Sequence, residues 1–182
     1  SCAPKLGIEM SLYDQISSPV IKRAYSYVMG GRSISDLPSR SDIDPVHMSE
    51  YLDHIELLDV INGGDSFRYR IAGGAIEQIF HSRMQGRMLE DIFTGEVLSF
   101  KLVMFRRCVE NRTVILSNDT LERGGESLLK YERLLIPLSP NGKYVDILFG
   151  CTYPMEIRAH SLSMSDTNLK IISESLVEGL EN

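Results

Sequence analysis

Apolar residues fall along this chain in two rhythms, and the switches between them divide it into elements. Val20, Ile21, Ala24, Tyr25 and Val28 recur at three- and four-residue spacing, the stripe of an amphipathic helix. Ser18 stands before that run as an N-cap. Pro19 takes the first helical position, where a missing N–H costs nothing, and Gly30-Gly31 ends the helix. The stripe needs a cover, either the outer face of a sheet or another subunit, so these five residues are candidate dimer or partner contacts. Asp44-Pro45 repeats the cap signature, and Ile43 and Met48 are spaced as a hydrophobic staple, predicting a short helix to about Leu52. The rhythm then becomes that of strands. Ile55–Ile61 is apolar at both parities, as in a strand covered on both faces. Asn62-Gly63-Gly64-Asp65 turns it into Phe67–Ala72, where Phe67, Tyr69 and Ile71 share one face and Arg68 and Arg70 the other.

Helical spacing returns at Ala75–Phe80, for a single turn at Leu89–Phe93, and over Glu96–Glu110. In the last of these, Val97, Phe100, Met104 and Cys108 form one stripe and Leu98, Leu102, Phe105 and Val109 the next. More than half the circumference is apolar, so this helix is deeply packed; burying those side chains contributes on the order of 10 kcal/mol before entropy is counted. Three strands follow, Val114–Leu121, Leu128–Leu138 and Tyr144–Tyr153, turning at Gly124-Gly125 and Pro140-Asn141-Gly142. In the third, Val145, Ile147, Phe149 and Cys151 share a face. Leu169, Ile172, Leu176 and Leu180 predict a terminal helix over Asp166–Leu180, and the first fifteen or so residues read as a flexible lead-in. The fold expected is α+β: a five-stranded antiparallel sheet with helices on one face and helical extensions at both ends. Residues 1–53 form the first extension, 54–153 the core and 154–182 the tail.

Composition narrows the function. At 182 residues, 43% apolar and 24% charged, the chain is an ordinary globular domain. A net charge of −6 excludes a nucleic-acid surface, which needs surplus Lys and Arg, and weakens any case for an anionic membrane. No apolar run approaches the ~20 residues of a membrane span, and Ser1-Cys2-Ala3-Pro4 is not a secretory signal. The expected location is the cytoplasm. Cys2, Cys108 and Cys151 contain no CxxC pair, so neither zinc nor dithiol redox chemistry is written here.

Leu37-Pro38-Ser39-Arg40-Ser41-Asp42-Ile43-Asp44-Pro45, Phe67-Arg68-Tyr69-Arg70-Ile71-Ala72-Gly73-Gly74, Gly86-Arg87 and Tyr131-Glu132-Arg133-Leu134-Leu135-Ile136-Pro137-Leu138 look like the signatures of one family. With the order of elements, they resemble a bacterial, mainly alphaproteobacterial, family of stand-alone PAS-like domains, over about Pro19 to Tyr153. Where that family usually has Thr after the first Gly of the second strand, this chain has Gly74. The resemblance implies a sensory or regulatory domain in signal transduction that binds a small molecule or a protein partner. The alternative is a ligand-free interaction and dimerisation module; the expected partners are a small-molecule ligand and a second copy or signalling protein. The resemblance leaves the cofactor unknown.

The pocket implied lies between the sheet and the helices Ala75–Phe80 and Glu96–Glu110. Its candidate lining is Ile76, Ile79, Phe80, Phe93, Phe100, Met104, Leu116, Tyr131, Arg133, Ile147, Phe149 and Cys151. Arg68, Arg70 and Arg133 form either an anion-binding set or cross-strand ion pairs with Glu132, Asp146 and neighbours. Cys108 and Cys151 read as core, and the motif around a flavin-reactive cysteine is missing. His47, His54, His81 and His160 are the haem-ligand candidates, none at ligand spacing with another, and His81 lies nearest the pocket helix. Asp36, Asp42 and Asp44 read as caps and turns rather than a metal site. The third alternative, a small enzyme with a cone-shaped cavity, needs two or more titratable groups facing inward. The inward sets read as almost wholly apolar, so no catalytic residue is assigned.

Overall fold

Ser18 caps the first long helix through its side chain, which accepts the Ile21 N–H, and Gly30 closes that helix in the left-handed conformation. The computed structural model describes residues 10–159 and 162–179. Before this helix, α2 (Pro19–Met29), a single turn α1 (Leu12–Gln15) stands where a lead-in was expected. Asp44 accepts the Val46 N–H and starts a 3-10 turn, Pro45–Met48; a second, Leu52–His54, delivers the chain into the sheet. β1 (Ile55–Ile61), β2 (Ser66–Ala72), α3 (Gly74–Ile79), α4 (Leu89–Ile92), α5 (Gly95–Asn111), β3 (Ile115–Arg123), β4 (Glu126–Leu138) and β5 (Ile147–Ile157) follow in the expected order.

The tail departs from expectation. Leu169–Glu178 is a strand, β6, antiparallel to β3 from Ile115↔Glu178 to Arg123↔Leu169. The sheet therefore has six antiparallel strands in the order β2-β1-β5-β4-β3-β6. The spacing of Leu169, Ile172 and Leu176 suits a helix, but Leu169 and Ile171 are the residues buried, and Ile172 is exposed. The edge of β3 offers unpaired backbone groups, and a Ser- and Ile-rich segment satisfies them better as a strand. Leu180 lies outside the described residues.

Helices cover both faces of the sheet, as the two-sided apolar pattern of Ile55–Ile61 requires. α3, α4 and α5 pack on one face over Leu58, Phe67, Tyr69, Tyr131, Leu135 and Leu148. α2 packs on the other over Leu134, Ile136, Ile147, Phe149 and Cys151. Ile21, Ala24 and Val28 are thus buried in their own chain, with Val20 and Tyr25 partly buried beside them. That stripe is a core contact and is not free to form a dimer surface. A second correction concerns β2. Arg70 is the extra residue of a bulge opposite Leu57/Leu58, so Ile71 packs toward α2 while Phe67 and Tyr69 face α5. Likewise Val145 precedes β5 and packs with the α5-side core, apart from Ile147, Phe149 and Cys151.

One buried carboxylate holds α2 in place. Glu132, fully buried on β4, accepts the Ser17 and Ser18 N–H groups at 2.9 and 2.8 Å. Glu132→Gln removes one of these acceptors and turns an NH₂ group toward a donor. The expected loss is about 2–3 kcal/mol by urea denaturation, with faster amide exchange in α2 before the rest of the chain. Among the described residues, no helix is long and apolar enough to cross a membrane.

Candidate functional site: a buried polar layer

Strand parity puts an unusual set of side chains between the sheet and α5. On β4, Tyr131 and Arg133 alternate with Glu132 and Leu134 and so face α5. Glu56 on β1 has the parity of Leu58 and faces the same way. Asp119 lies across from Tyr131, and Ser117 and Thr152 lie across from Arg133. Tyr69 joins from β2, and from above Lys101 descends from α5, one turn from Val97 and Phe105. Glu56 and Lys101 are fully buried, and Asp119 and Arg133 are 2% exposed.

The geometry is that of a partly matched network. Arg133 Nε donates to Thr152 Oγ1 at 3.2 Å, and its Nη2 stands 3.5 Å from Glu56 Oε1. Ser117 Oγ donates to Asp119 Oδ2 at 3.1 Å. Lys101 Nζ lies 4.3 Å from the Phe80 ring centre and 4.6 Å from that of Phe93, with Phe105 at 5.9 Å. Phe80 meets Phe93 and Tyr131 edge-on, closing the aromatic wall. Gly150, opposite Glu56, makes room for the carboxylate, since a β-carbon there would sit 2.6 Å from Glu56 Oε1.

Among the described residues, seven of the layer's buried polar atoms lack a well-aligned hydrogen bond: both Glu56 oxygens, Lys101 Nζ, Asp119 Oδ1, Arg133 Nη2 and the hydroxyls of Tyr69 and Tyr131. Arg133 Nη2 and Glu56 Oε1 are paired as ions, and Tyr131 is a hydrogen-bond partner of Asp119, so the Lys101 amine, the Tyr69 hydroxyl and Glu56 Oε2 are left, at about 1–3 kcal/mol for each unmet group. A layer of this kind persists when something polar completes it.

Electrostatics follow from burial. Burial pushes the Lys101 amine well below its ordinary range, and Arg133 adds to the effect, while Glu56 and Asp119 pull it back. For Arg133 burial opposes the charge, but Glu56, then Tyr131, Tyr69 and Asp119, outweigh it and hold the guanidinium above its usual value. Burial raises Asp119, with Arg133 the chief opposing influence. Burial likewise raises both tyrosines well above their ordinary range.

Of the expected lining, Ile76, Ile79, Phe80, Phe93, Met104 and Tyr131 belong to the core on this side, with Phe100 at its margin and Arg133 in the polar layer. Leu116, Ile147, Phe149 and Cys151 do not join them; they lie across the sheet beneath α2. Alternation separates the two faces of a strand but does not say which face meets which helix. Arg68 and Arg70 are exposed, Arg70 on Asp59 at 2.8 Å, so they do not converge with buried Arg133. Cys108 donates to Thr113 O, and burial raises both Cys108 and Cys151. His54 is held by Thr152 O at 3.0 Å, His47 and His81 are exposed, and His160 lies outside the described residues.

The expectation of an almost wholly apolar interior is overturned. Glu56, Lys101 and Asp119 are the additions to the expected set, and each leaves a trace in the sequence: a charged residue at the parity or helical position of a buried apolar one. An open surface hollow of about 600 Å³ at Tyr13, Pro19, Lys22, Arg23, Ser26 and Tyr27 lies on α2, away from this layer.

A family model described as a PAS domain matches residues 16–153. No curated protein matches the chain.

Proposed function

The chain belongs to the PAS-domain family, and we propose that its sensory or regulatory role is exercised through a small molecule bound in the polar layer between the sheet and α3, α4 and α5. The family consists in general of sensory and regulatory modules, which sets the class. The observation that carries the proposal is the buried layer of Glu56, Lys101, Asp119 and Arg133, in which the Lys101 amine and the Tyr69 hydroxyl lack a hydrogen-bond partner among the described residues and Phe80, Phe93 and Phe105 lie against Lys101. Apolar walls with a few convergent polar anchors are the usual form of a small-molecule site.

Native mass spectrometry of freshly purified protein tests the reading. A small molecule retained under native conditions and lost on denaturation is the expected result. A bare chain, with no small molecule released on denaturation, would leave the ligand-free interaction module as the better account.

A further inference from the structure

Away from the polar layer, three stretches far apart in sequence meet around another hollow, of about 360 Å³, at the end of the sheet where α5 stops. Val60 from β1, Val109 from the last turn of α5 and Val145 ahead of β5 line it, and Arg112, Lys143 and Asp146 supply its charges. Val109 lies eight residues, or roughly 12 Å, along α5 from Lys101, so this hollow is separate from the layer. Its size is at the small end of the roughly 300–1,000 Å³ of small-molecule sites, and apolar walls with a few polar groups are their usual make-up.

The backbone holds these polar groups in place. Asp146 donates its N–H to Leu138 O at 3.1 Å and accepts the Val60 N–H at 2.9 Å, which fixes it between β4 and β1. Its Oδ1 is buried and has no hydrogen-bond partner among the described residues. Arg112 stands in the left-handed conformation usually left to glycine, and its guanidinium donates to the Gly142 and Lys143 carbonyls, tying the end of α5 to the turn before β5. What Asp146 lacks is a donor, and the carbonyl end of α5 favours a positive one. A lone cation would meet Arg112 and Lys143 at the same hollow. The group that answers Asp146 therefore comes with a negative charge beside it, on an aliphatic body that the three valines cover.

We propose that this hollow binds a free α-amino acid with a branched aliphatic side chain, its ammonium on Asp146, its carboxylate toward Lys143 and Arg112, and its side chain against Val60, Val109 and Val145. The zwitterion brings no net charge, and its three parts match the three kinds of surface present. The site stands apart from whatever the layer holds.

The test is a set of amide nitrogen–proton correlation spectra of the full chain, titrated with L-leucine, with isoamylamine, which lacks the carboxylate, and with isocaproate, which lacks the amine. Saturable shifts with leucine are expected at residues 60–63, 109–112 and 143–146, and none at Lys101 or Arg133. Both analogues should bind at least about tenfold more weakly. Asp146→Asn should weaken leucine binding by at least about tenfold, and Lys143→Met, at an exposed position, by roughly three- to tenfold. The same spectra show whether each variant is folded, and the two analogues need no variant, so the outcome does not hang on a substitution that unfolds the chain. Either analogue binding as tightly as leucine, leucine binding unchanged in folded Asp146→Asn, shifts confined to the layer around Lys101, or no saturable shift with leucine would overturn the proposal.

Discussion

Arg133→Met is expected to destabilise the protein by about 3–5 kcal/mol, because it strands the Glu56 carboxylate in the interior. In a chain of this size, that corresponds to a fall in Tm of roughly 6–20 °C. Removing both partners, Glu56→Leu with Arg133→Met, should restore most of the loss, since two apolar groups need no compensation; a coupling of at least about 2 kcal/mol in the double-mutant cycle is the expected measure. Lys101→Met should have the opposite sign to Arg133→Met. It replaces an amine without a hydrogen-bond partner by a thioether against Phe80 and Phe93, and stability should hold or rise by up to about 2 kcal/mol. Urea denaturation of the four proteins checks all of this. Equal losses for Arg133→Met and Lys101→Met would show that the layer is not organised around the Arg133–Glu56 pair.

The second large effect concerns two adjacent glycines. Gly73 has an ordinary extended backbone, so its lack of a side chain is a matter of space. A β-carbon there would overlap the Asp53 carbonyl and stand 2.6 Å from Leu52 O. Both neighbours are backbone atoms of the turn that starts β1, and the Gly73 N–H donates to Ile55 O at 2.8 Å, so neither strand can withdraw. Gly73→Ala is expected to cost at least about 3 kcal/mol and to disturb the β1–β2 junction beneath Glu56. At Gly74, the first residue of α3, a β-carbon meets only Asp53 Oδ1 at an ordinary 3.7 Å. Gly74→Ala should therefore be neutral or stabilising by up to about 1 kcal/mol. Thermal unfolding of the two variants separates these outcomes, and similar melting temperatures would contradict the close approach at Gly73.

Much of the fold was legible because its signals are local. Ser18-Pro19 and Gly30 bound α2, Asp44-Pro45 starts its turn, and the Gly63-Gly64 and Gly124-Gly125 turns stand between the strands they join. β6 was not legible, because its strand form depends on the distant free edge of β3 rather than on its own spacing. The bulge at Arg70 reversed the face of Ile71 for a similar reason, as register is set between strands. The site was half legible. Phe80, Phe93 and Tyr131 lie on the α5 side of the sheet, as strand and helix spacing suggests, while Leu116, Ile147, Phe149 and Cys151 lie on the α2 side. Lys101, Glu56 and Asp119 escaped because a charged residue within a strand or helix ordinarily points to water. Only the joint packing of β1, β3, β4 and α5 turns all three inward.

A crystal structure of the protein as purified, at a resolution that shows ordered water, tests the central claim most directly. Density for a small organic molecule touching Lys101 Nζ, Arg133 Nη2 and at least one of the tyrosine hydroxyls is the predicted result. Direct hydrogen bonds that close the layer on itself, or water alone between those groups, would contradict it.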